Sequence, residues 1–181
     1  MAGAAVCIRG NAKNGALINF SGFVIHKDGL ILSTAHDLEG MRGIVVTFMD
    51  GTEADGNIIR LDIHKDLSMI KINKQNLSIV ISPHKQSTKI NRGEMVYMLH
   101  CRDSLNGKPY AGIVDRPMAM VNEQPLLQVS IEIQKGSSGN PIVDVQGNLV
   151  GVVMGRYRGT TARGFVIPTE TVITFLSQDA L

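Results

Sequence analysis

Short apolar runs rich in Val, Ile and Leu alternate with polar turn residues along most of the chain. The runs predict twelve strands, over residues 5–9, 16–25, 30–33, 43–49, 56–61, 69–72, 95–99, 110–115, 126–133, 141–145, 148–154 and 164–167. Asp-Gly and Asn-Gly pairs between apolar runs are strong hairpin signals. Breaks of this kind lie at Asp28-Gly29, Asp50-Gly51, Asn106-Gly107 and Gln146-Gly147. Many short strands separated by such turns predict an all-β barrel or sandwich rather than βαβ units.

The last apolar segment has a helical pattern instead. It follows Pro168, with Thr169 where an N-cap would lie and Glu170 in the first turn. Four apolar side chains share one broad helical face: Val172, Ile173, Phe175 and Leu176. We therefore expect a closing C-terminal helix.

The most polar stretch, residues 76–92, has no sustained strand pattern. We interpret it as the connection between two halves of six strands each. The N-terminal half would comprise residues 1–82 and the C-terminal half, with the helix, residues 83–181. Together they have the size of one ordinary domain.

Composition narrows the possible partners. The formal net charge is only +2 and no block of five basic residues exists, so we expect no nucleic-acid partner. No apolar segment has the length of a membrane span. The first residues lack the charged start and long apolar stretch of a secretion signal. The sequence does not specify an oligomeric state.

Cys7 and Cys101 are the only cysteines. One disulfide between them is formally possible, but two cysteines make no disulfide framework and their spacing is not that of a metal site. We expect both to be small buried side chains.

The stretch Gly136-Ser137-Ser138-Gly139 places two serines between glycines. It fails the G-x-S-x-G pattern of α/β-hydrolases with either serine as the nucleophile. In the alternative G-x-S-G arrangement, the amides of the first glycine and of the serine converge on the carbonyl oxygen under attack. This spacing selects Ser138 as the nucleophile and Gly136 as its partner donor, with Ser137 between them.

A nucleophilic serine needs a base and an orienting acid. His36 follows small residues at the end of an apolar strand, and Asp66 begins another. The order His36, Asp66, Ser138 is that of the chymotrypsin type. Asp37 competes for the acid role, but a residue adjacent to the histidine on a tight turn is expected to point away.

Asp62, His64 and Asp66 alternate onto one strand face, which could also indicate a metal site. No partner motif supports that alternative. We expect no metal and no cofactor.

Several collinear segments resemble the HtrA (Do-like) branch of the trypsin-fold serine proteases. They are SGFVIHKDGLILSTAH (21–36), DLSMIKI (66–72), RGEMV (92–96), AGIV (111–114), LLQ (126–128), KGSSGNPIVDVQGNLVG (135–151) and GFVIP (164–168). The resemblance spans nearly the whole chain. It covers the protease domain only, and we expect no PDZ-like domain.

The resemblance implies two perpendicular six-stranded antiparallel barrels with an active site between them. His36 would be the general base, Asp66 its orienting acid and Ser138 the nucleophile. The oxyanion hole would comprise Gly136, Ser137 and Ser138. The implied activity is that of a serine endopeptidase acting on proteins or peptides through an acyl-enzyme, outside the cytoplasm and in protein quality control, although a cytoplasmic location stays open.

The chain departs from the family at Ser137, where the family usually has Asn, and at Asn140, where it has a second glycine. These departures leave open a degenerate trypsin-fold binding or scaffolding module without activity. An autoprocessing viral or phage protease of the same fold is a further alternative.

The substrate pocket is predicted from position. Glu132 lies six residues before Ser138, where trypsin-like enzymes place the pocket floor. A carboxylate there would favour Lys or Arg at the cleavage position. Met154, Arg156 and Gly164 would form the walls, and Arg156 could neutralise Glu132. The alternative is that Glu132 turns to solvent at a strand end.

Overall fold

A computed structural model of the chain describes residues 2–80, 89–101, 108–156 and 163–178. A 3-10 turn, Ala2–Ala4, precedes the first strand. The strands are β1 (Ala5–Asn11), β2 (Leu17–His26), β3 (Leu30–Ser33), β4 (Arg42–Thr47), β5 (Glu53–Asp62), β6 (Leu67–Ile72), β7 (Met95–Met98), β8 (Tyr110–Val121), β9 (Gln124–Val129), β10 (Pro141–Val143), β11 (Leu149–Arg156) and β12 (Gly164–Pro168), and helix α1 is Thr169–Ser177. Each of the twelve predicted runs overlaps one of these strands, so the all-β fold is confirmed.

The strands form two closed antiparallel barrels, in the orders β1-β2-β3-β6-β5-β4 and β10-β11-β12-β9-β8-β7. Pairing of β1 with β4 closes the first barrel, and pairing of β7 with β10 closes the second. Each barrel encloses its own apolar cluster. A third cluster contains residues from both barrels and from α1, including Phe23, Leu32, Val152 and Phe175. This shared core holds the two barrels together.

Helix α1 is anchored to both barrels. Its N-cap is Pro168, which provides no capping side chain, so the prediction of Thr169 as the N-cap was wrong. Thr169 is the first helical residue, and its hydroxyl donates to the carbonyl of Leu149 at 2.7 Å. From the first barrel, Arg60 donates to the carbonyl of Phe175 and lies 5.0 Å from the centre of its ring. Within the described ranges, no helix is long and apolar enough to cross a membrane.

Three of the four predicted turns carry a glycine with positive φ: Gly29, Gly51 and Gly147. The fourth, at Asn106-Gly107, lies outside the described residues. Strand β8 extends to Val121, beyond the predicted end at residue 115, and a tight turn follows in which Asn122 and Glu123 have φ of 48° and 65°. The predicted boundary between the halves, at residues 82 and 83, also lies outside the described residues and stays a prediction.

The disulfide that the sequence left possible is formed, and of the two cysteines expected to be buried, Cys101 is buried and Cys7 is partly buried. Cys7 in β1 and Cys101, shortly after β7, form a disulfide with their Cα atoms 5.3 Å apart. Sequence spacing alone could not show this, since only the docking of the barrels brings residues 94 positions apart together. The disulfide therefore cross-links the two barrels.

Breaking this cross-link should lower the free energy of unfolding by about 2–5 kcal/mol, because a long closed loop restricts the unfolded chain. Urea denaturation of the oxidised protein, the reduced protein and the Cys7→Ala/Cys101→Ala variant measures the difference. The reduced protein and the variant should unfold at similarly lowered urea concentrations. Identical midpoints for all three would contradict a stabilising cross-link.

Candidate active site

Strand pairing in the first barrel brings His36 and Asp66 together. Strands β3 and β6 are antiparallel, with Ser33 opposite Ser68. The end of β3 therefore lies beside the start of β6. His36 is in the turn that follows β3, and Asp66 directly precedes β6.

The carboxylate of Asp66 binds both the backbone and the ring of the histidine turn. Its Oδ1 accepts from the amides of Ala35 and His36 at 3.0 and 2.8 Å. Its Oδ2 lies 2.7 Å from Nδ1 of His36. Asp66 is only 5% exposed, and its φ of 54° is uncommon for a residue other than glycine. The carboxylate thus sets the orientation of the imidazole.

Asp37 does not point away from the histidine, and that expectation was wrong. Its Oδ2 lies 3.2 Å from Nε2 of His36, the ring nitrogen opposite the one that Asp66 binds. The turn is tight, with the amides of Leu38 and Glu39 both donating to the carbonyl of Ala35. Hydrogen bonds from Asp37, the larger cause, and from Asp66 raise the pKa of His36 from its ordinary 6.5 to about 10.

The loop around Ser138 presents two backbone amides. The amide of Ser137 donates to the carbonyl of Gln134 at 3.1 Å, which closes a four-residue turn. Gly136 is the third residue of that turn and has φ of +88°, a conformation typical of glycine there. The amides of Gly136 and Ser138 have no acceptor among the described residues. The amide of Ser137 is therefore already hydrogen-bonded. Of the three residues predicted to form the oxyanion hole, Gly136 and Ser138 have amides that are still available to a substrate oxygen.

Ser21 attaches this loop to the first barrel, a role that sequence reasoning missed. Its amide donates to the carbonyl of Ser138 and its hydroxyl to the carbonyl of Gly136, both at 2.8 Å. Its own carbonyl accepts from the hydroxyl of Ser33 at 2.6 Å. The available signal was a serine between Phe20 and Gly22 in an apolar strand. Because Ser33 ends the strand that leads to His36, these contacts bring Ser138 to the same edge of the first barrel.

The hydroxyl of Ser138 nevertheless does not bond to His36. It donates instead to the carbonyl of Met154 at 3.3 Å. The structure thus joins His36 to Asp66, while the hydroxyl of Ser138 is turned to the second barrel.

The predicted pocket floor requires correction. Glu132 is exposed, whereas Ile131 and Ile133 on either side are buried. A β-carbon on Gly164 would lie 2.6 Å from Cγ1 of Ile133, so Ile133 packs directly against the Gly164 backbone.

The solvent-facing alternative therefore describes Glu132, and a buried isoleucine adjoins Gly164 instead. Of the other predicted walls, Met154 is partly buried. Arg156 pairs with Gly164 in the β11–β12 ladder, and its side chain lies outside the described residues.

The two departures from the family pattern lie in the interior. The hydroxyl of Ser137 and both polar atoms of the Asn140 side chain are buried without a hydrogen-bond partner among the described residues. The Asn140 amide donates to the carbonyl of Ser137 at 3.1 Å, so Asn140 belongs to a regular turn of the loop.

Close packing of the loop makes Gly139→Ala a sharp test. At Gly139, with φ of +89°, a β-carbon would lie 1.9 Å from the carbonyl oxygen of Ser21. At Gly51, with a similar φ of +82°, a β-carbon would meet no atom within 4 Å. Gly51→Ala should therefore cost only the left-handed penalty of about 1–2 kcal/mol. Gly139→Ala should lower the free energy of unfolding by clearly more in urea denaturation, and equal losses would contradict the tight contact.

Residues 20–152 match the family model for the trypsin-like peptidase domain. Human serine protease HTRA4 is 30% identical over 165 residues, covering 87% of this chain and 34% of that protein. A probable periplasmic serine endoprotease DegP-like of Brucella suis is 28% identical over 164 residues, covering 87% and 32%. The chain spans about a third of the length of these curated relatives.

Solved structures share the fold. The active form of the Rv3671c protease from M. tuberculosis superimposes with a TM-score of 0.82 at 17% identity, covering 97% of this chain and 80% of that one. The serine endoprotease from Yersinia pestis gives 0.81 at 22% identity, covering 98% and 62%. With the family match over most of its length, the chain belongs to the trypsin-like peptidase family and has HtrA and DegP-like proteases among its relatives.

Proposed function

We propose that this chain is a serine endopeptidase that hydrolyses peptide bonds through an acyl-enzyme. Ser138 is the nucleophile, His36 the general base and Asp66 the orienting acid. The observation that carries the proposal is the buried Asp66 carboxylate, which binds the His36 amide and ring Nδ1 at once. That arrangement leaves Nε2 as the nitrogen that exchanges a proton with the nucleophile.

The chemistry follows from this geometry. Nε2 of His36 takes the hydroxyl proton of Ser138 while the Ser138 oxygen attacks the substrate carbonyl carbon. The same nitrogen later protonates the leaving amine. Water then attacks the acyl-enzyme with His36 again as base. For the first step, the Ser138 hydroxyl must leave the Met154 carbonyl and turn toward His36.

The oxyanion that forms is stabilised by the amides of Gly136 and Ser138. Both have no other acceptor among the described residues. The turn at Gly136 and the two hydrogen bonds from Ser21 hold these donors in place before substrate arrives. Donors fixed in advance cost no reorganisation during the reaction, and losing one typically slows turnover by about 10²–10³.

The proposed cleavage-site pocket is apolar, because a buried isoleucine and not Glu132 adjoins Gly164. Ile133 lies against Gly164 where a carboxylate would have favoured Lys or Arg. A separate cavity of about 580 Å³ adjoins Gly136. Its lining is mixed, with apolar Leu17 and Phe20, the disulfide, and the polar side chains of Asn19 and Lys135. The cavity provides room for substrate residues beside the oxyanion loop.

The compartment proposed is extracytoplasmic. A disulfide is typical of oxidising environments, and the DegP-like relatives carry the name periplasmic. Protein quality control, which the HtrA resemblance implies, belongs to the same proposal.

A fluorophosphonate probe tests the nucleophile. Mass spectrometry should locate the adduct on Ser138, with no adduct in Ser138→Ala and strongly reduced labelling in His36→Ala.

Asp66→Asn should retain the fold but slow peptide hydrolysis by roughly 10⁴, the loss known for this change in the serine-protease template, because the histidine takes the wrong tautomer.

Glu39→Gln is the matched control, because it alters an exposed side chain of the histidine turn and should label normally. A folded chain that stays unlabelled from pH 7 up to pH 10, where His36 loses its proton, would favour the binding-module alternative. New termini within the expressed protein would instead indicate self-cleavage.

Peptide-library cleavage tests the pocket. We expect cleavage after aliphatic residues, because Ile133 presents only apolar surface. Ile133→Ala should extend cleavage to larger side chains, while Glu132→Ala should leave the sites unchanged. A preference for Lys or Arg that Glu132→Ala abolishes would refute the apolar pocket.

A further inference from the structure

The imidazole of His36 lies between two carboxylates. Asp66 Oδ2 is 2.7 Å from Nδ1 and Asp37 Oδ2 is 3.2 Å from Nε2. In the proposed peptidase mechanism, on which this inference rests, Nε2 is the position that Ser138 must reach. We propose that Asp37 is a resting-state latch, whose carboxylate occupies Nε2 in place of Ser138 and must move away before catalysis.

The positions of the two carboxylates decide the protonation state of the ring. A neutral imidazole has one N–H and one bare lone pair. With a carboxylate oxygen at each nitrogen, the lone pair of a neutral ring would face a negative charge. Only the doubly protonated imidazolium donates to both. A ring in that state cannot accept the proton of Ser138, so the latched site is inactive.

The raised pKa of His36, about 10, has the same physical cause, with Asp37 as the larger contributor. Asp37 and Asp66 are the charged groups that act on the ring. Below pH 6.5 the hydrogen bonds between protonated His36 and the two carboxylates contribute their full stabilisation to the folded state. This contribution to the free energy of unfolding is lost as the pH rises through about 10. Activity should rise over the same interval, because the neutral base then forms.

Asp37 is the more loosely held of the two carboxylates and can move away from the ring. Its side chain is 22% exposed, against 7% for that of Asp66. Its contact with the hydroxyl of Thr34 is a long one, at 3.5 Å from Oδ2. Asp66 is instead held by two backbone amides at 3.0 Å or less. Movement of Asp37 into water therefore opens Nε2 while the Asp66–His36 pair stays intact.

Ser138 has the orientation expected of a latched site. Its hydroxyl is turned to the Met154 carbonyl, whereas the oxyanion loop is already formed. Asp37 is thus a positioning residue in this proposal: it acts through His36 and need not touch the substrate.

The test compares the full chain with Asp37→Asn and with Glu39→Gln, which removes an exposed carboxylate from the same turn. NMR titration of the His36 ring gives its pKa, and fluorophosphonate labelling at pH 7 gives the reactivity of Ser138. Asp37→Asn should lower the pKa toward 6.5 and accelerate labelling by about tenfold for each pKa unit lost above 7, with little further gain below that value. Glu39→Gln should change neither. Asp37→Ala serves as a second variant if Asp37→Asn folds poorly.

An unchanged His36 pKa in both Asp37 variants would overturn the latch, even if Ser138 is labelled. A lowered pKa with slower labelling would also overturn it, because Asp37 would then assist the reaction. If the pKa falls as expected but Ser138 is never labelled, the contact with Asp37 stands and the peptidase proposal fails instead.

Discussion

The hydrogen bonds from Ser21 to the Ser138 loop are the constraint on which the candidate site depends. His36 and Asp66 belong to one barrel and Ser138 to the other, so no local structure can place them together. Ser21 binds the carbonyls of Gly136 and Ser138 and thereby fixes the loop of the second barrel to the edge of the first. The shared apolar core and the disulfide between the barrels support the same placement.

The backbone of the site is already arranged for catalysis, but two of its side chains are not. The turn at Gly136 already exposes the two oxyanion donors, and Asp66 already orients His36. The reacting atoms, in contrast, have other partners: the hydroxyl of Ser138 donates to Met154, and Nε2 of His36 faces Asp37. Both side-chain contacts are long, at 3.3 and 3.2 Å, and each can be exchanged by rotation without moving the fold. The rigidity of the site therefore lies in its backbone, and its proposed regulation in two side chains.

Patterns within a strand or turn were sufficient to predict the twelve strands and the helix. A short serine motif, the chain order of three residues and the HtrA resemblance identified the residues proposed for the triad. The features that the sequence left open or did not reveal are contacts between elements distant in sequence. The cross-link of Cys7 to Cys101 depends on the docking of the barrels, and the role of Ser21 depends on a loop more than a hundred residues away. Asp37 was misjudged for another reason, since a tight turn can fold a neighbouring carboxylate back onto the ring. Glu132 was placed by counting from the nucleophile, which does not determine which side of the backbone is buried.

The most direct test of the proposed triad is a crystal structure of the chain with a peptidyl boronate that ends in an aliphatic residue. We expect a bond from boron to the hydroxyl oxygen of Ser138, with one boronate oxygen accepting from the amides of Gly136 and Ser138. His36 should remain bound to Asp66 through Nδ1, with Nε2 released from Asp37 and turned to the adduct. A boronate absent from Ser138, or bound there with Nε2 of His36 far from the adduct, would contradict the proposed mechanism.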